Sequence, residues 1–469
     1  MGNSAKNIAI VVVLTALAIT GIGIGLKHQK QATPGQDDKN YLALFTEVLT
    51  IVKKSYVDEV DQKKLIQGAV EGMLAHLDPH SAYLQPEPYS EMRISMAGSF
   101  GGLGIEINIK DDKLTVISPI EDTPAYRAGI KSNDHIWKID DKLTKGLTIN
   151  QAVNLMRGQK GTKVTLHIIR EGVQKPLVFP LVRDIIKTKS LRARTIEPGY
   201  GYVRISQFQE RTGQDFATAL QTLHTENPAG LKGLILDLRN NPGGLVDTAV
   251  QVVDPFIGEG RSDGTVVYTK GRTPGSKKSY YARIGTKEPH YPMVVLINGG
   301  SASASEIIAG ALQDHQRAII MGTQSYGKGS VQSVMSLKDG AGLKLTTARY
   351  YTPKGRSIQA KGITPDIIVS MMDPARKKAE PPPGGEIKET KELDLPHHLS
   401  APGVAPKPAG KPAPTAPTAP KVPLVPPAAA VKDAETARDF QLSRAVEMLK
   451  GLQVFGAMSS ATRPHVVHK

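Results

Sequence analysis

The sequence predicts an α/β core built on a mixed sheet with helices on both faces, an inserted β-rich module and a helical N-terminal region. Continuous apolar strands alternate with amphipathic helices over residues 199–369, short alternating strands bounded by glycines fill residues 96–183, and apolar residues recur at helical spacing over residues 41–77. Because a continuously apolar strand is buried on both faces, helices must cover both sides of the core sheet.

Length and composition fit several domains and exclude whole classes of site. The chain has 469 residues, 40% of them hydrophobic, which is enough for two or three domains. It has no cysteine, so disulfide frameworks, thiolate zinc sites, iron–sulfur clusters, cysteine nucleophiles and lipid-modified cysteines are excluded. The formal net charge is +15, but the basic residues are spread over the chain and only 5% of residues are aromatic, so we expect no nucleic-acid partner.

Residues 1–30 are expected to be a signal peptide or a membrane anchor. Lys6 precedes an almost uninterrupted apolar run over residues 8–26, which is long enough to span a bilayer. The triplet Ala16-Leu17-Ala18 is also of the kind that signal peptidase accepts, so cleavage stays open. We therefore expect an exported protein of the periplasm or cell envelope, held at the inner membrane if the segment is retained.

The N-terminal region, residues 37–95, is predicted to be helical, with two helices over residues 41–77. Helical spacing of apolar residues is interrupted around residues 56–61, and Asp78-Pro79-His80-Ser81 should end the second helix because a residue before proline disfavours helical geometry. His76 and His80 are interpreted as ordinary surface or capping histidines, since no metal-ligand pattern accompanies them.

The module over residues 96–183 carries a glycine-rich loop, Gly101-Gly102-Leu103-Gly104, which leads into a strand that begins at Ile105. A dinucleotide fingerprint would need its glycines before a helix, so that interpretation fails. Backbone N–H groups in such a loop can capture a carboxylate, and the edge of the next strand can accept an added peptide strand. With a short helix at 124–129 and a second helix at 149–157, the module resembles a PDZ domain, and the resemblance implies that these five residues bind a peptide C-terminus.

The core, residues 184–372, is read as alternating strands and helices. The predicted strands are 200–205, 234–238, 293–297 and 318–321, and the predicted helices are 215–224, 246–256 and 302–315. Binding sites in such cores lie beyond the carboxyl ends of the strands. Two loops at these strand ends contain residues suited to catalysis. They are residues 239–244, which end in two glycines, and residues 298–306, a strand–turn–helix junction rich in serine.

A serine at that junction would be exposed on a sharp turn, as in a nucleophile elbow, although the GxSxG pattern is absent and an ordinary helix N-cap is the alternative. Spacing does not choose among Ser301, Ser303 and Ser305. The base could be His315 or Lys328, and a lysine serves only if burial lowers its pKa from about 10.4 toward neutrality. Gln332 could hold Lys328 by a hydrogen bond.

Lys328 also has two plain interpretations, a surface lysine in a glycine turn and a phosphate loop. The P-loop pattern GxxxxGK[ST], placed between a strand and a helix, is not present at residues 322–328, so the phosphate loop is disfavoured.

Four segments together resemble the carboxyl-terminal processing (tail-specific) protease family, over roughly residues 40–370. They are 236–244 (LDLRNNPGG), 300–307 (GSASASEI), 326–332 (YGKGSVQ) and 346–353 (TTARYYTP). The resemblance implies a serine endopeptidase with Ser303 as nucleophile, Lys328 as general base and Gln332 orienting the lysine. It also implies an oxyanion hole formed by the N–H of Ala304 and of Gly243 or Gly244.

The resemblance implies cleavage near a protein's C-terminus, with the PDZ domain capturing the free terminus of the substrate and regulating activity. Arg170 is a candidate contact between the PDZ domain and the Gln332 region. No cofactor or metal is expected, and an adaptor or activator is a further candidate partner. The competing functions are a membrane-tethered PDZ scaffold that binds without cutting, and a carbohydrate- or peptidoglycan-binding envelope protein, which lacks the paired carboxylates or aromatic platform it would need.

The C-terminal part is predicted to contain a Pro-, Ala- and Lys-rich disordered linker (373–432), which cannot bury a core, and a helix (433–456). In similar proteins this helix contributes to a homodimer. Docking on the core of its own chain is the equally open alternative.

Overall fold

The computed structural model describes residues 36–258, 264–283, 285, 287–371, 390–403 and 439–461. The expected signal or anchor, residues 1–30, lies outside them. Within the described ranges, no helix combines the length and the apolar character needed to cross a membrane. The chain divides into two compact units, one up to Val70 and one from Glu71 onward.

The predicted pair of N-terminal helices is confirmed as α1 (Gln36–Ser55) and α2 (Gln62–Ala75). Acidic side chains lie in the first turn of α1 and Lys53 and Lys54 in its last, so both ends complement the helix dipole. Asp61 Oδ1 accepts hydrogen bonds from the N–H groups of Lys63 and Lys64 at 2.8 and 3.3 Å. This cap explains why a new helix begins after the break at residues 56–61.

The PDZ-like module is an antiparallel sheet with two helices around its own hydrophobic core. Its elements are β3 (Ile105–Lys110), β4 (Lys113–Pro119), α4 (Pro124–Arg127), β5 (His135–Ile139), β6 (Lys142–Leu143), α5 (Ile149–Met156), β7 (Lys163–Ile169) and β8 (Leu177–Val182). The strand order is β3-β4-β5-β7-β8, with β6 paired to β5, which leaves β3 at an edge. Thr148 and Gln151 form a reciprocal capping box that starts α5.

Part of the glycine-rich loop before β3 is a strand, which the sequence did not predict. After α3 (Pro86–Ala97), β2 (Ser99–Gly102) pairs antiparallel with β9 (Asp184–Lys187), on the far side of the module in sequence. Gly101 has to be a glycine because a Cβ there would lie 2.0 Å from the carbonyl oxygen of Gly158. Glycine is a poor strand former in isolation, so only the long-range pairing makes this segment extended.

The core sheet has the order β10-β11-β12-β15-β16-β19. Its strands are β10 (Leu191–Glu197), β11 (Tyr200–Ile205), β12 (Gly233–Asp237), β15 (Met293–Ile297), β16 (Ile319–Gly322) and β19 (Ile367–Ile368). All neighbouring pairs are parallel except β10 with β11, so the sheet is mixed, as predicted.

Helices cover both faces of this sheet, which confirms the predicted layering. Leu234 and Leu236 of β12 pack with α6 (Thr212–Glu226), α7 (Val246–Val253, followed by a 3₁₀ turn) and α8 (Ala304–Asp314). Ile235, between them, faces the other way and packs with α9 (Phe440–Ala461) through the buried apolar residues Leu442, Ala445, Val446 and Leu449. The C-terminal helix therefore docks on the core of its own chain.

A second sheet borders the core and includes a strand from the end of the N-terminal region. Its order is β1-β18-β13-β14, and β17 pairs with the other edge of β18. The strands are β1 (Ala82–Leu84), β13 (Thr265–Gly271), β14 (Lys278–Tyr281), β17 (Ser330–Ser336) and β18 (Gly342–Tyr351). Ala82 pairs with Lys344 and Gln332 with Thr346, so β18 connects residues near position 80 to the strand that follows Lys328.

One part of the predicted linker is folded, so the expectation for residues 373–432 is wrong at residues 390–403. A 3₁₀ turn, Glu392–Asp394, buries Glu392 completely, and Ala401 is also buried. Gln359 Nε2 donates to the backbone oxygen of Leu399 and to Glu392 Oε1, at 3.0 and 2.9 Å. This short segment has fixed partners on the core. The other residues of the predicted linker lie outside the described ranges.

Candidate active site

The two candidate loops meet at the carboxyl ends of the neighbouring strands β12 and β15. The side chain of Asn298 accepts from the N–H of Asn240 at 2.8 Å, and the backbone oxygen of Asn241 accepts from Ala302 N–H and Ser305 Oγ at 3.0 and 2.9 Å. These hydrogen bonds hold the glycine-rich loop against the serine-rich turn.

Ser303 lies at the tip of this turn, directly before α8. Its φ of 53° is in the left-handed region, which a residue with a side chain adopts only when surrounding contacts hold it there. Gly243 lies against it, because a Cβ on Gly243 would be 2.8 Å from the Cβ of Ser303. The glycine therefore gives room for the close approach of the two loops.

The three serines that spacing could not separate have different surroundings. Ser301 is fully buried, and its Oγ donates to the oxygen of Leu238 at 2.8 Å and accepts from the N–H of Asn298 at 3.0 Å. Ser305 is also fully buried and donates to Asn241. Ser303 is only half-buried. A substrate can thus reach Ser303, while the hydroxyls of the other two are committed to the backbone.

Backbone donors lie beside Ser303. Among the hydrogen bonds of the described residues, the N–H groups of Gly244 and Ala304 have no acceptor. The N–H of Gly243 donates to Asn241 Oδ1 at 2.9 Å. Of the two glycines predicted to pair with Ala304, Gly244 is therefore the one with a free donor.

Glu306 is a buried carboxylate that the sequence analysis did not assign to the site. Its Oε2 accepts from the N–H groups of Ser303 and Lys328 at 2.7 and 2.9 Å, and its Oε1 accepts from Ser325 Oγ and Gly327 N–H at 2.6 and 2.7 Å. Burial raises the pKa of Glu306 to about 7, although these four hydrogen bonds oppose the rise. The signal in the sequence is a serine followed three residues later by glutamate at a helix start.

Lys328 directly precedes Gly329 and the strand β17, and is half-buried. Burial lowers the pKa of Lys328, and the charge of Lys344 lowers it further, whereas the negative charges of Glu392, Glu306 and Asp78 oppose the fall. This is the direction of shift that a lysine needs to act as a base. The alternative base, His315, lies at the far end of α8 and its Nε2 is 2.7 Å from the oxygen of Thr265.

Gln332 lies four residues after Lys328, on β17. Its Nε2 donates to Thr346 Oγ1 at 2.9 Å and to Ser330 Oγ at 3.2 Å. Its Oε1 is buried and has no hydrogen-bond partner among the described residues. The side chain thus has an unused acceptor, which a lysine amine could satisfy.

His80 is not an ordinary surface residue, so that interpretation was wrong. Its Nε2 lies 2.8 and 3.0 Å from the carboxylate oxygens of the buried Glu392. His76 is exposed, as expected. Over the described ranges, no group of three or more histidine and carboxylate side chains could hold a metal ion.

The glycine-rich loop of the PDZ-like module leaves two backbone donors without an acceptor in the described part of the chain. The backbone oxygens of Leu103 and Gly104 accept from Ala125 and Ile120 N–H at 3.0 and 2.8 Å, while the N–H groups of Leu103 and Gly104 have no acceptor in the described part of the chain. Ile105 begins the edge strand β3 beside this loop, and Gly102 ends β2 just before it. The loop therefore offers free donors next to an edge strand.

Arg170 follows the last residue of β7 and makes its contacts inside the module. Its Nε and Nη2 donate to the carboxylate of Asp134, both at 2.7 Å, and Nη2 also donates to Gly129 O at 2.9 Å. Its guanidinium lies 6.0 Å from the ring centroid of Phe179. The structure thus brings Arg170 to Asp134 and not to Gln332.

Comparisons with known proteins find similarity over most of the chain. Residues 199–369 match peptidase family S41, residues 101–178 match the PDZ domain, and residues 24–88 match the activating protease CtpB N-terminal domain. A carboxy-terminal-processing protease of Bartonella bacilliformis is 48% identical over 366 residues, which are 76% of this chain and 83% of that protein.

Two further similarities concern a second relative and a solved structure. A carboxyl-terminal-processing protease of Synechocystis is 39% identical over 334 residues, covering 70% of this chain and 76% of that protein. A solved structure of the photosystem II D1 C-terminal processing protease is 29% identical with a TM-score of 0.40, covering 71% of this chain and 94% of that chain.

Proposed function

Because the chain belongs to the carboxy-terminal processing serine proteases of peptidase family S41, we propose that Ser303 is its nucleophile, Lys328 its general base and Gln332 the residue that orients the lysine. The observation that carries this proposal is the carboxylate of Glu306, which accepts from the backbone N–H groups of both Ser303 and Lys328. One buried side chain thereby joins the serine turn and the lysine loop into a single hydrogen-bonded unit.

In the proposed reaction, neutral Lys328 takes the hydroxyl proton of Ser303 while Oγ bonds to the scissile carbonyl carbon. The carbonyl oxygen becomes negative and accepts hydrogen bonds from the N–H groups of Ala304 and Gly244. The lysine ammonium then gives its proton to the departing amine. Water, activated by the same lysine, hydrolyses the acyl-enzyme and frees Ser303.

The PDZ domain is proposed to hold the C-terminus of the substrate. The free N–H groups of Leu103 and Gly104 would bind its carboxylate, and the edge of β3, beginning at Ile105, would add the tail as a strand. Occupation of this groove would regulate cleavage. Any role of Arg170 in that coupling would pass through Asp134, the residue it contacts in the structure.

The apolar run over residues 8–26 favours export, with an inner-membrane anchor if it is not removed. A homodimer and an adaptor or activator are proposed as further partners. The substrates are proteins with a free C-terminus.

Cleavage of an unfolded reporter with an apolar C-terminal tail tests the function. The full chain should cut a reporter with a free terminal carboxylate faster than the same reporter with an amidated terminus. Lys328→Ala should lower kcat by about 100-fold or more, because general-base catalysis is lost. Lys338→Ala, which removes an exposed lysine, is the matched control and should leave kcat unchanged.

Two outcomes would contradict the proposal. A wild-type chain that binds the tail and never cuts it would be a scaffold. A Lys328→Ala variant with wild-type kcat would transfer the role of base to another group.

The pH dependence of kcat/KM should show the effect of the charge of Glu392 on Lys328. A lysine base is active when neutral, so kcat/KM rises with pH through the pKa of Lys328, and the charge of Glu392 raises that pKa. Glu392→Gln keeps an acceptor for Gln359, removes the charge, and should move the acid limb of the pH profile to lower pH. The control is Asp394→Asn, an exposed carboxylate in the same 3₁₀ turn, which water screens. An unmoved limb in Glu392→Gln would show that this carboxylate does not act on the base.

A further inference from the structure

Gln332 is held by a threonine on the neighbouring strand. A bulge between Val331 and Gln332 places Gln332 opposite Thr346, and Gln332 Nε2 donates to Thr346 Oγ1 at 2.9 Å. A primary amide could turn over and present its oxygen here, since the two ends of the group have nearly the same shape. The other contact of Nε2 is Ser330 Oγ at 3.2 Å, a hydroxyl that can turn its proton to suit either orientation. The orientation is therefore decided by whether Thr346 offers a lone pair or a proton.

The proton of Thr346 is already used. Thr346 Oγ1 donates to Asp78 Oδ1 at 3.0 Å. A hydroxyl has one proton and two lone pairs, so a threonine that donates to Asp78 can only accept from Gln332. The amide must therefore present its N–H₂ to Thr346, which leaves Oε1 free on the other side.

Asp78 fixes the direction of this relay. It is buried, and its two oxygens accept from the N–H groups of His80 and Ser81, from Ser81 Oγ and from Thr346 Oγ1 at 2.7–3.0 Å. Burial alone would raise the pKa of Asp78, but these hydrogen bonds prevail and the pKa lies below its ordinary value. An ionised carboxylate only accepts, so the hydrogen bonds run from Gln332 to Thr346 to Asp78.

We propose that Asp78 and Thr346 are positioning residues of the protease: they fix the amide of Gln332 so that Oε1 faces the amine of Lys328. This inference rests on the proposed role of Lys328. It assigns a purpose to two segments that the Ser/Lys mechanism leaves unused, Asp78-Pro79-His80-Ser81 at the end of the N-terminal region and the start of the TTARYYTP segment on β18.

Thr346→Val tests the proposal because it keeps the shape of the side chain and removes the hydroxyl. Without it, the amide of Gln332 can turn its N–H₂ toward Lys328. The value of kcat on its high-pH plateau should fall by about 10- to 100-fold, because the amine of Lys328 is no longer aimed at Ser303. KM should stay unchanged. The acid limb of the pH profile should also move to lower pH, because an N–H group facing the lysine disfavours its ammonium form.

The charged groups around Lys328, namely Glu392, Glu306, Asp78 and Lys344, are all retained in this variant, so a moved limb reports the amide. Thr346→Ser restores the hydroxyl and should restore both the plateau and the limb. Thr347→Val is the matched control: Thr347 is the next residue, exposed, and bonded to Ser333 Oγ at 2.7 Å. Thr347→Val should change neither the plateau of kcat nor the acid limb of the pH profile.

A Thr346→Val variant with a lower plateau, an unmoved limb and no rescue by serine would overturn the positioning role and leave the Ser/Lys mechanism intact. Wild-type kinetics in Thr346→Val would overturn it as well. Failure of the underlying function would instead appear as undiminished cleavage by Lys328→Ala, so the two failures are distinguishable.

Discussion

Ser303→Ala is expected to lower kcat by about 1,000-fold or more while the protein stays folded, because removal of a nucleophile leaves only binding and oxyanion stabilisation. Alanine has the same Cβ as serine, so the strained φ of 53° at position 303 is unchanged and the contact with Gly243 is kept. We expect a thermal unfolding midpoint close to that of the wild type. Steady-state cleavage of the tailed reporter and a thermal melt measure the two quantities.

The neighbouring serine gives the matched control. Ser301→Ala leaves the oxygen of Leu238 and the N–H of Asn298 without their buried partner, which should cost about 1–3 kcal/mol of folding free energy. The kcat of the molecules that remain folded should stay within a few-fold of the wild type. If Ser303→Ala still formed an acyl-enzyme and Ser301→Ala did not, Ser301 would be the nucleophile.

Apolar periodicity predicted most strands and helices of the core because the strands of the core sheet are buried on both faces. The strand at residues 293–297 is found with the predicted bounds, and the helix predicted over residues 302–315 is Ala304–Asp314. Helix ends shift by a few residues because tertiary contacts decide where a helix begins. Here the strained turn at Ser303 sets the start of α8.

The features that the sequence did not reveal depend on residues far apart in the chain. Asp78 contacts Thr346, and His80 contacts Glu392, across separations of 268 and 312 residues. No local pattern predicts such pairs. The segment around Glu392 lies in a proline-rich region whose composition indicates disorder, yet its buried carboxylate has specific partners in His80 and Gln359.

Some residues of the site were predicted from the sequence and others were not, again because the missing contacts join residues that are far apart in the chain. The resemblance to a protease family selected Ser303, whereas spacing left three serines open, and burial of Ser301 and Ser305 now separates them. Glu306 lies in the GSASASEI segment, but no role in the site was assigned to it from the sequence, because a glutamate three residues after a serine is also typical of a simple helix cap. Its contact with the N–H of Lys328, 22 residues further on, gives it a second role.

Glu306→Gln is expected to lower kcat by about 100-fold, because a small misplacement of reacting groups has an effect of that size. Glutamine has one acceptor oxygen, so either the N–H groups of Ser303 and Lys328 or the donors of Ser325 and Gly327 lose their acceptor. Unfolding free energy should fall by about 1–3 kcal/mol for each buried donor left unsatisfied. The serine turn and the lysine loop would no longer be held together.

The same variant should change how stability depends on pH. Burial raises the pKa of Glu306 to about 7, above its ordinary value of 4.5, so the folded state binds the proton more tightly than the unfolded state. Stability from this group is therefore present below pH 4.5 and is lost as pH rises through about 7. Glu306→Gln should abolish that part of the dependence, whereas Glu226→Gln, an exposed carboxylate on α6, should retain it. Thermal melts between pH 5 and 8 measure this dependence of stability on pH. A Glu306→Gln variant with wild-type kcat and wild-type pH dependence would show that this carboxylate neither joins the two loops nor carries the buried charge.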